Sequence, residues 1–313
     1  MTAVPGRALF STSICLALVL MMVPAHSVAG TIVRVSTTLG DYSIELFDDI
    51  APVTVQNFLN YVHRNDYNGT YLHRVVDNFV VQGGAYRFQL FVGPVDIPTD
   101  PPILNEFSVS NIAGTVAMAK LENVENSATN QWFVNLTDNT ELDTTNGGFS
   151  VFGQVLGNGL AVLQAIDALP TILLGAKAPS APYFTAEYNN PLDFIYINVE
   201  VVQRYSEAPH VFESASGLLI TSVNVNNGED VVSLNFNAVP SESGVVIQGN
   251  PESLIPRATS FDGIATFSSS DNRLRIPQLE VNLGGAVSLV SDVVFVLTST
   301  TPLQFTLESY QQN

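Results

Sequence analysis

Arg74 is the residue of this 313-residue chain whose type and setting point most directly to chemistry. It stands among apolar neighbours in the stretch Tyr67–Tyr86, on a strand-like run that closes with Gln82-Gly83-Gly84. A cation inside an apolar run is costly unless it is paired or used. The plain reading is an exposed strand residue beside a turn. The functional reading is a fixed donor, because a guanidinium stays charged and presents several N–H groups in a planar fork. Taken singly, the neighbours are ordinary. Gln82 is a turn residue next to two glycines, His73 a satisfied or exposed strand histidine, and Phe79, Phe133 and Leu142 core residues.

The elements that would position these residues follow from periodicity. Ile32, Val33 and Val35 alternate, Gly40-Asp41 offers a turn, and Tyr42, Ile44 and Leu46 alternate again, which reads as a hairpin. Pro52 suits the first turn of a helix, and Val55, Phe58, Leu59 and Val62 recur at helical spacing. A second helix is expected from Leu160 to Leu169, stopped by Pro170. Short strands and loops fill the rest, so the pattern supports a mixed, mostly β fold, with a closed barrel capped by helices as the suggested architecture. Phe194–Arg204 alternates like a final strand, and a boundary falls near Ser206–Pro209. Beyond it, Val223 and Val225, a turn at Asn226-Asn227-Gly228, then Val232, Leu234 and Phe236 alternate. Leu274–Val281, Val293–Leu297 and Phe305–Leu307 look like further strands, with no helical stretch. A smaller all-β, sandwich-like domain over residues 206–313 is expected there.

Composition narrows the classes. Hydrophobic residues make up 46% and charged residues 13%, a globular balance rather than a disordered one. The formal charge of −18 leaves no basic footprint for nucleic acid, and an anionic membrane surface would repel the body of the chain. Residues 1–29 read as a secretory signal, with Arg7, an apolar core Ile14–Val23, and a small-x-small site at Ser27-Val28-Ala29. The mature chain would begin at Gly30, with cleavage after Ser27 the near alternative, and would contain no further membrane span. The lone Cys15 lies in that signal, so the mature protein would have no thiol. A periplasmic or secreted location fits this pattern.

The motifs carry a resemblance. Leu72-His73-Arg74-Val75, then Phe79, then Gln82-Gly83-Gly84, is similar to the F-H-R-V-x-x-x-F-x-x-Q-G-G signature of the cyclophilin family of peptidyl-prolyl cis/trans isomerases. Phe47–Phe58 resembles the family's first-helix segment, Gly114–Ala119 its G-x-x-x-M-A strand, and Asn126–Phe133 its N-S-x-x-S-Q-F-F segment. Leu142-Asp143 followed by Phe149–Gly153 resembles its L-D…V-F-G segment, and Pro101–Glu106 looks most like bacterial exported members. The resemblance covers roughly residues 31–204. It implies an eight-stranded antiparallel barrel with two capping helices over residues 30–205.

It also implies an activity that needs no cofactor and no metal: rotation about X-Pro bonds, with proline-containing polypeptides as partners. By matching positions Arg74 would be the catalytic donor, with Gln82 orienting it and Phe79 beside them. Phe79, Val80, Phe133 and Leu142 would line the proline pocket, Ala119, Lys120 and Gln131 would bind the residues before proline, partly through backbone groups, and Phe149 would be a further substrate-binding residue. His73 would support binding. Several positions depart from the pattern. Val80 replaces a usual methionine, Ala85 an acidic residue, and Trp132 the first phenylalanine of a pair. Glu141 replaces an aromatic that supports cyclosporin binding, so weak inhibition is expected, and Thr144–Gly148 is an insertion before Phe149.

Other signals are weak. The sequons Asn68-Gly69-Thr70 and Asn135-Leu136-Thr137 read as turns and loops, and Asn226–Asp230 as a hairpin turn rather than a calcium loop. His26, His63, His73 and His210 show no ligand spacing. The leading expectation is an exported, monomeric isomerase that helps other exported proteins fold. The rivals are a proline-peptide-binding module with little catalysis, and a surface protein in which the barrel is a spacer.

Overall fold

The computed structural model describes residues 30–312 except 186, 189, 226–229 and 243. The expected signal, with Arg7, Cys15 and His26, and the turn at Asn226-Asn227-Gly228 lie outside the described residues.

The first part of the chain runs β1 (Ile32–Thr37), β2 (Asp41–Leu46), α1 (Pro52–His63), β3 (Thr70–Tyr71), β4 (Arg74–Val76), β5 (Val80–Gly83), β6 (Tyr86–Gln89) and β7 (Gly93–Asp96). It continues with β8 (Thr115–Met118), β9 (Trp132–Asn135), β10 (Val151–Val155), α2 (Gly159–Asp167), β11 (Thr171–Ile172), β12 (Ala181–Pro182) and β13 (Tyr196–Val202). The sheet order β4-β5-β9-β8-β10-β2-β1-β13-β3 is antiparallel throughout. β3 and β4 are two halves of one segment that changes partner between consecutive residues. Leu72 N donates to Ile195 O at 3.0 Å, on the β13 side, whereas His73 N donates to Gln82 O at 3.2 Å, in β5. The sheet therefore closes into the expected eight-position barrel, with the β6–β7 hairpin appended to β3.

Strand alternation divides this sheet into two faces. Val75, Val81, Val116, Met118, Trp132, Val134 and Phe152 point into the main core, which also takes Phe58 of α1 and Leu163 and Ile166 of α2. The Phe58 ring meets Trp132 edge-on at 6.2 Å and Phe152 at 5.1 Å. α1 begins at Pro52, and the Glu106 carboxylate accepts from the free N–H groups of Val53 (3.2 Å) and Thr54 (2.8 Å), supplying the cap that Ala51 cannot. α2 spans Gly159–Asp167, ending two residues before the expected Leu169.

The second part is all-β, but its strands close on themselves where a sandwich is the sequence-based expectation. It comprises β14 (Val211–Glu213), β15 (Leu218–Asn224), β16 (Val231–Val239), β17 (Val246–Gly249), β18 (Ile255–Pro256), β19 (Ala265–Ser268), β20 (Arg273–Leu283), β21 (Ala286–Thr300) and β22 (Leu303–Gln312). β15 pairs with both β16 and β19, which completes the ring β15-β19-β20-β21-β22-β17-β16. Alternation is the same in a sandwich and a barrel. Closure depends on which distant edges meet, and on bulges such as those between β21 and β22 that curl the sheet.

The two barrels meet through a polar seam. Asp41 accepts from Arg34 (2.6 Å) and from Arg257 of the second barrel, and Arg257 Nη1 also donates to Thr37 O at 2.9 Å. Arg34 Nη1 donates to Ala208 O (3.0 Å), Asn198 Nδ2 to Ser253 O (2.7 Å) and Asn235 Nδ2 to Glu200 (3.0 Å). Burial alone would raise the Asp41 pKa, but the two guanidinium groups hold it below the usual carboxylate value.

Candidate active site

The outer face of the first barrel carries the residues that alternation turns away from the core. Cross-strand register sets Arg74 opposite Gln82, Gln82 opposite Phe133, Phe133 opposite Ala117, and Ala117 opposite Val151. One straight row thus crosses five strands, polar at the β4 end and apolar at the β10 end. Val80, Ala117, Phe133 and Val151 form the buried floor of an apolar cluster, and Phe79, Ala119, Leu142 and Phe149 pack around it. Phe133 and Phe149 meet edge-on at 5.8 Å.

The polar end is ordered by donor logic. Arginine can only donate, so Gln82 must present its carbonyl: Arg74 Nη1 donates to Gln82 Oε1 at 3.0 Å. Gln82 Nε2 then donates to Gln131 Oε1 at 2.9 Å. Burial lowers the pKa of the half-buried Arg74, yet a guanidinium remains charged at any working pH. Most of its N–H groups stay available beside the apolar wall. Gly84 is required next to this row. Gly84 has φ +86°, and a Cβ there would lie 2.5 Å from Asn130 O.

The remaining expected residues fall in different places. Phe79 sits on the β4–β5 connection, where its carbonyl accepts from Leu136 N and Asn139 Nδ2, both at 2.9 Å. Leu142 rides on a single turn anchored by Asp143, whose carboxylate accepts from Ser110 Oγ, Asn111 N and Asn111 Nδ2. Ala119 N donates to Gln131 O at 2.9 Å, continuing the β8 edge. The Lys120 ammonium is already engaged: it donates to the carbonyls of Asn146 (2.7 Å) and Gly148 (2.6 Å) and lies over the Phe149 ring. It holds the Thr144–Gly148 insertion against the cluster, and burial lowers its pKa.

His73 lies buried beside the row, with Gln131 and Arg74 acting on its ring. It is 2% exposed, its ring stands edge-on to Tyr86 at 4.9 Å, and its Nδ1 has no hydrogen-bond partner. Burial pushes its pKa down to about 4, so it is neutral at pH 7. The sequon residue Asn135 is not on a loop either. It is buried within β9 and donates to Thr115 Oγ1 at 2.8 Å.

Ser180 belongs to no motif. It bridges the strand that carries Arg74: Ser180 Oγ donates to Val75 O at 2.7 Å, and Val75 N donates to Ser180 O at 3.0 Å. Nothing local in the sequence marks it, because the contact joins positions 105 residues apart. A row of this kind offers a fixed cation at the rim of an apolar recess, which suits a ligand with an apolar ring beside a group that gains electron density.

The family described as cyclophilin type peptidyl-prolyl cis-trans isomerase matches residues 32–182. A peptidyl-prolyl cis-trans isomerase of Acinetobacter baylyi is 40% identical over 159 residues, covering 50% of this chain and 81% of the relative. Isomerase A of Dickeya dadantii is 37% identical over 159 residues, covering 49% and 80%. Isomerase B of Escherichia coli is 38% identical over 142 residues, covering 43% and 83%. The chain belongs to the cyclophilin family. The family match ends at residue 182, before the second barrel. Among the described residues no group of three or more His, Cys, Asp or Glu is placed to hold a metal ion, and no helix is long and apolar enough to cross a membrane.

Proposed function

We infer that this cyclophilin accelerates cis/trans rotation about X-Pro bonds in polypeptides. The observation that carries the reading is the Arg74–Gln82–Phe133 row, which puts a fixed cation against an apolar recess. Rotation about an X-Pro bond costs about 20 kcal/mol because amide resonance is lost at the top of the barrier. No nucleophile or proton transfer is needed; the twisted amide must simply be bound better than either planar form. In that state the prolyl nitrogen becomes pyramidal and gains a lone pair. The free N–H groups of Arg74 supply donors for it or for the neighbouring carbonyl, while Gln82 fixes the guanidinium. The proline ring occupies the recess of Phe79, Val80, Phe133, Leu142 and Phe149. Backbone groups near Ala119 and the Gln131 side chain take the residues before proline. An acceleration on the order of 10⁵ requires about 7 kcal/mol of differential stabilisation.

The test is NMR exchange on a short Xaa-Pro peptide with residues 30–313 and with Arg74→Ala. Acceleration by the parent and its loss in the variant support the reading. A folded parent that leaves the exchange rate at its spontaneous value sinks it. The basic, apolar and small-residue pattern of residues 1–29 supports export, and clients among exported proteins. N-terminal sequencing of the mature protein, with Gly30 first, checks that part.

A further inference from the structure

The second barrel contains a cavity of about 330 Å³ that prolyl isomerisation leaves unused. That volume lies within the roughly 300–1,000 Å³ typical of small-molecule sites. Strand lengths create it. β20, β21 and β22 have 11, 15 and 10 residues, whereas β17, which pairs with β22 on its other edge, has 4. Leu307 N still donates to Val245 O at 2.8 Å, but β22 then runs on to Gln312 without a partner from β17. The wall opens at that point. Alternation keeps Leu279 and Val281 on the inner face, opposite Val290 and Ser288 of β21.

The cavity has a closed floor and an open mouth. Leu219, Ile247, Val293 and Phe295 at its base are at most 4% exposed, whereas Val245, Leu283 and Tyr310 at its edge are 47%, 55% and 49% exposed. No charged side chain lines it. Its polar groups are those of Ser288 on β21 and of Tyr310 and Gln312 on β22, all at exposed positions. A carboxylate or phosphate would meet no cation here, in a chain of net charge −18, and a cation would lie against apolar groups without a partner. The floor, by contrast, rewards apolar atoms alone.

We propose that this cavity binds an uncharged aliphatic molecule, with its chain on the Leu219–Phe295 floor and a hydroxyl, ester or amide end at the Ser288–Tyr310–Gln312 rim. Each further buried methylene strengthens binding about fourfold until the floor is filled. The site is independent of the Arg74 row, so occupancy and isomerisation are separable.

The experiment is a fluorescence titration of residues 30–313 with the neutral dye Nile red, followed by displacement with 1-octanol, 1-decanol and decanoate. The expected result is one saturable dye site per chain. Decanol should displace about fifteenfold better than octanol and at least tenfold better than decanoate. Val290→Trp, which fills the cavity, and Ser288→Asp, which adds a charge at an exposed rim position, should each weaken dye binding at least tenfold. X-Pro exchange should be unchanged in both. Absence of saturable binding overturns the proposal. So does equal displacement by decanol and decanoate, or unchanged dye affinity in folded Ser288→Asp.

Discussion

The two barrels of this chain solve the same closure problem and put their usable space on opposite sides of the wall. The first is filled by large side chains: Trp132, Phe58, Tyr67 and Phe152 interlock in its core, and the groups fit for chemistry stand outside, on the reverse face of the same strands. The second is lined mainly by aliphatic residues and keeps a cavity inside. A solid barrel gives a rigid platform that can hold Arg74 and its neighbours in one geometry. An incompletely filled one can admit a guest. Closure sets neither outcome; side-chain volume and strand length do.

The contrast is open to direct attack. The largest effect should come from Trp132→Ala, which empties the filled core and is expected to cost about 3–5 kcal/mol of stability. Urea unfolding followed by circular dichroism measures it, and a loss below 1 kcal/mol would deny that the first barrel is tightly packed. Next, Arg74→Ala should lower kcat/KM about 10²–10³-fold, equivalent to roughly 3–4 kcal/mol of transition-state stabilisation, with little change in melting temperature. A comparable fall in stability would mean that Arg74 belongs to the scaffold rather than to the reactive face.

The buried His73 gives a pH signature. Its folded pKa of about 4 lies below the ordinary value of 6.5, so only the unfolded chain binds a proton between those limits. The neutral-pH stability is therefore lost as pH falls from about 6.5 toward 4, by about 3 kcal/mol in total, and levels off below. Unfolding midpoints at pH 7 and 4.5 should converge in His73→Gln relative to the parent, and an identical acid loss in both would exclude His73 as its source. The smallest effect is expected in the hollow barrel. Val290→Ala, on a cavity wall with few partner atoms, should cost about 1 kcal/mol or less. A cost like that of Trp132→Ala would show that the space is not empty in solution.

Much of the first barrel was legible in the residues. The hairpin of Ile32–Leu46 and the helix after Pro52 follow from short-range periodicity, which survives folding because each side chain's direction is set by its own backbone. Arg74, Gln82, Phe79, Val80, Phe133, Leu142 and Phe149 were singled out from motifs, and they lie together on one face. The resemblance sets His73 in a supporting role, and it lies buried where β3 gives way to β4, against Tyr86 and beside Gln131. The resemblance sets Lys120 with the residues before proline, partly through backbone groups, and its ammonium is held by an insertion whose path no local pattern reveals. Ser180 carried no signal at all.

By itself the sequence determined the alternation that separates Val81, Trp132 and Val134 from Val80, Gln82 and Phe133, and so decided which residues share a face with Arg74. Tertiary structure alone decided the register that brings Arg74, Gln82 and Phe133 into one row, the Asp41–Arg257 seam between barrels, and the closure of the strands from β15 round to β16 into a ring with a cavity. The reason is range. Period and burial preference are properties of neighbouring residues, whereas register, closure and empty volume depend on groups that meet only after distant strands have paired.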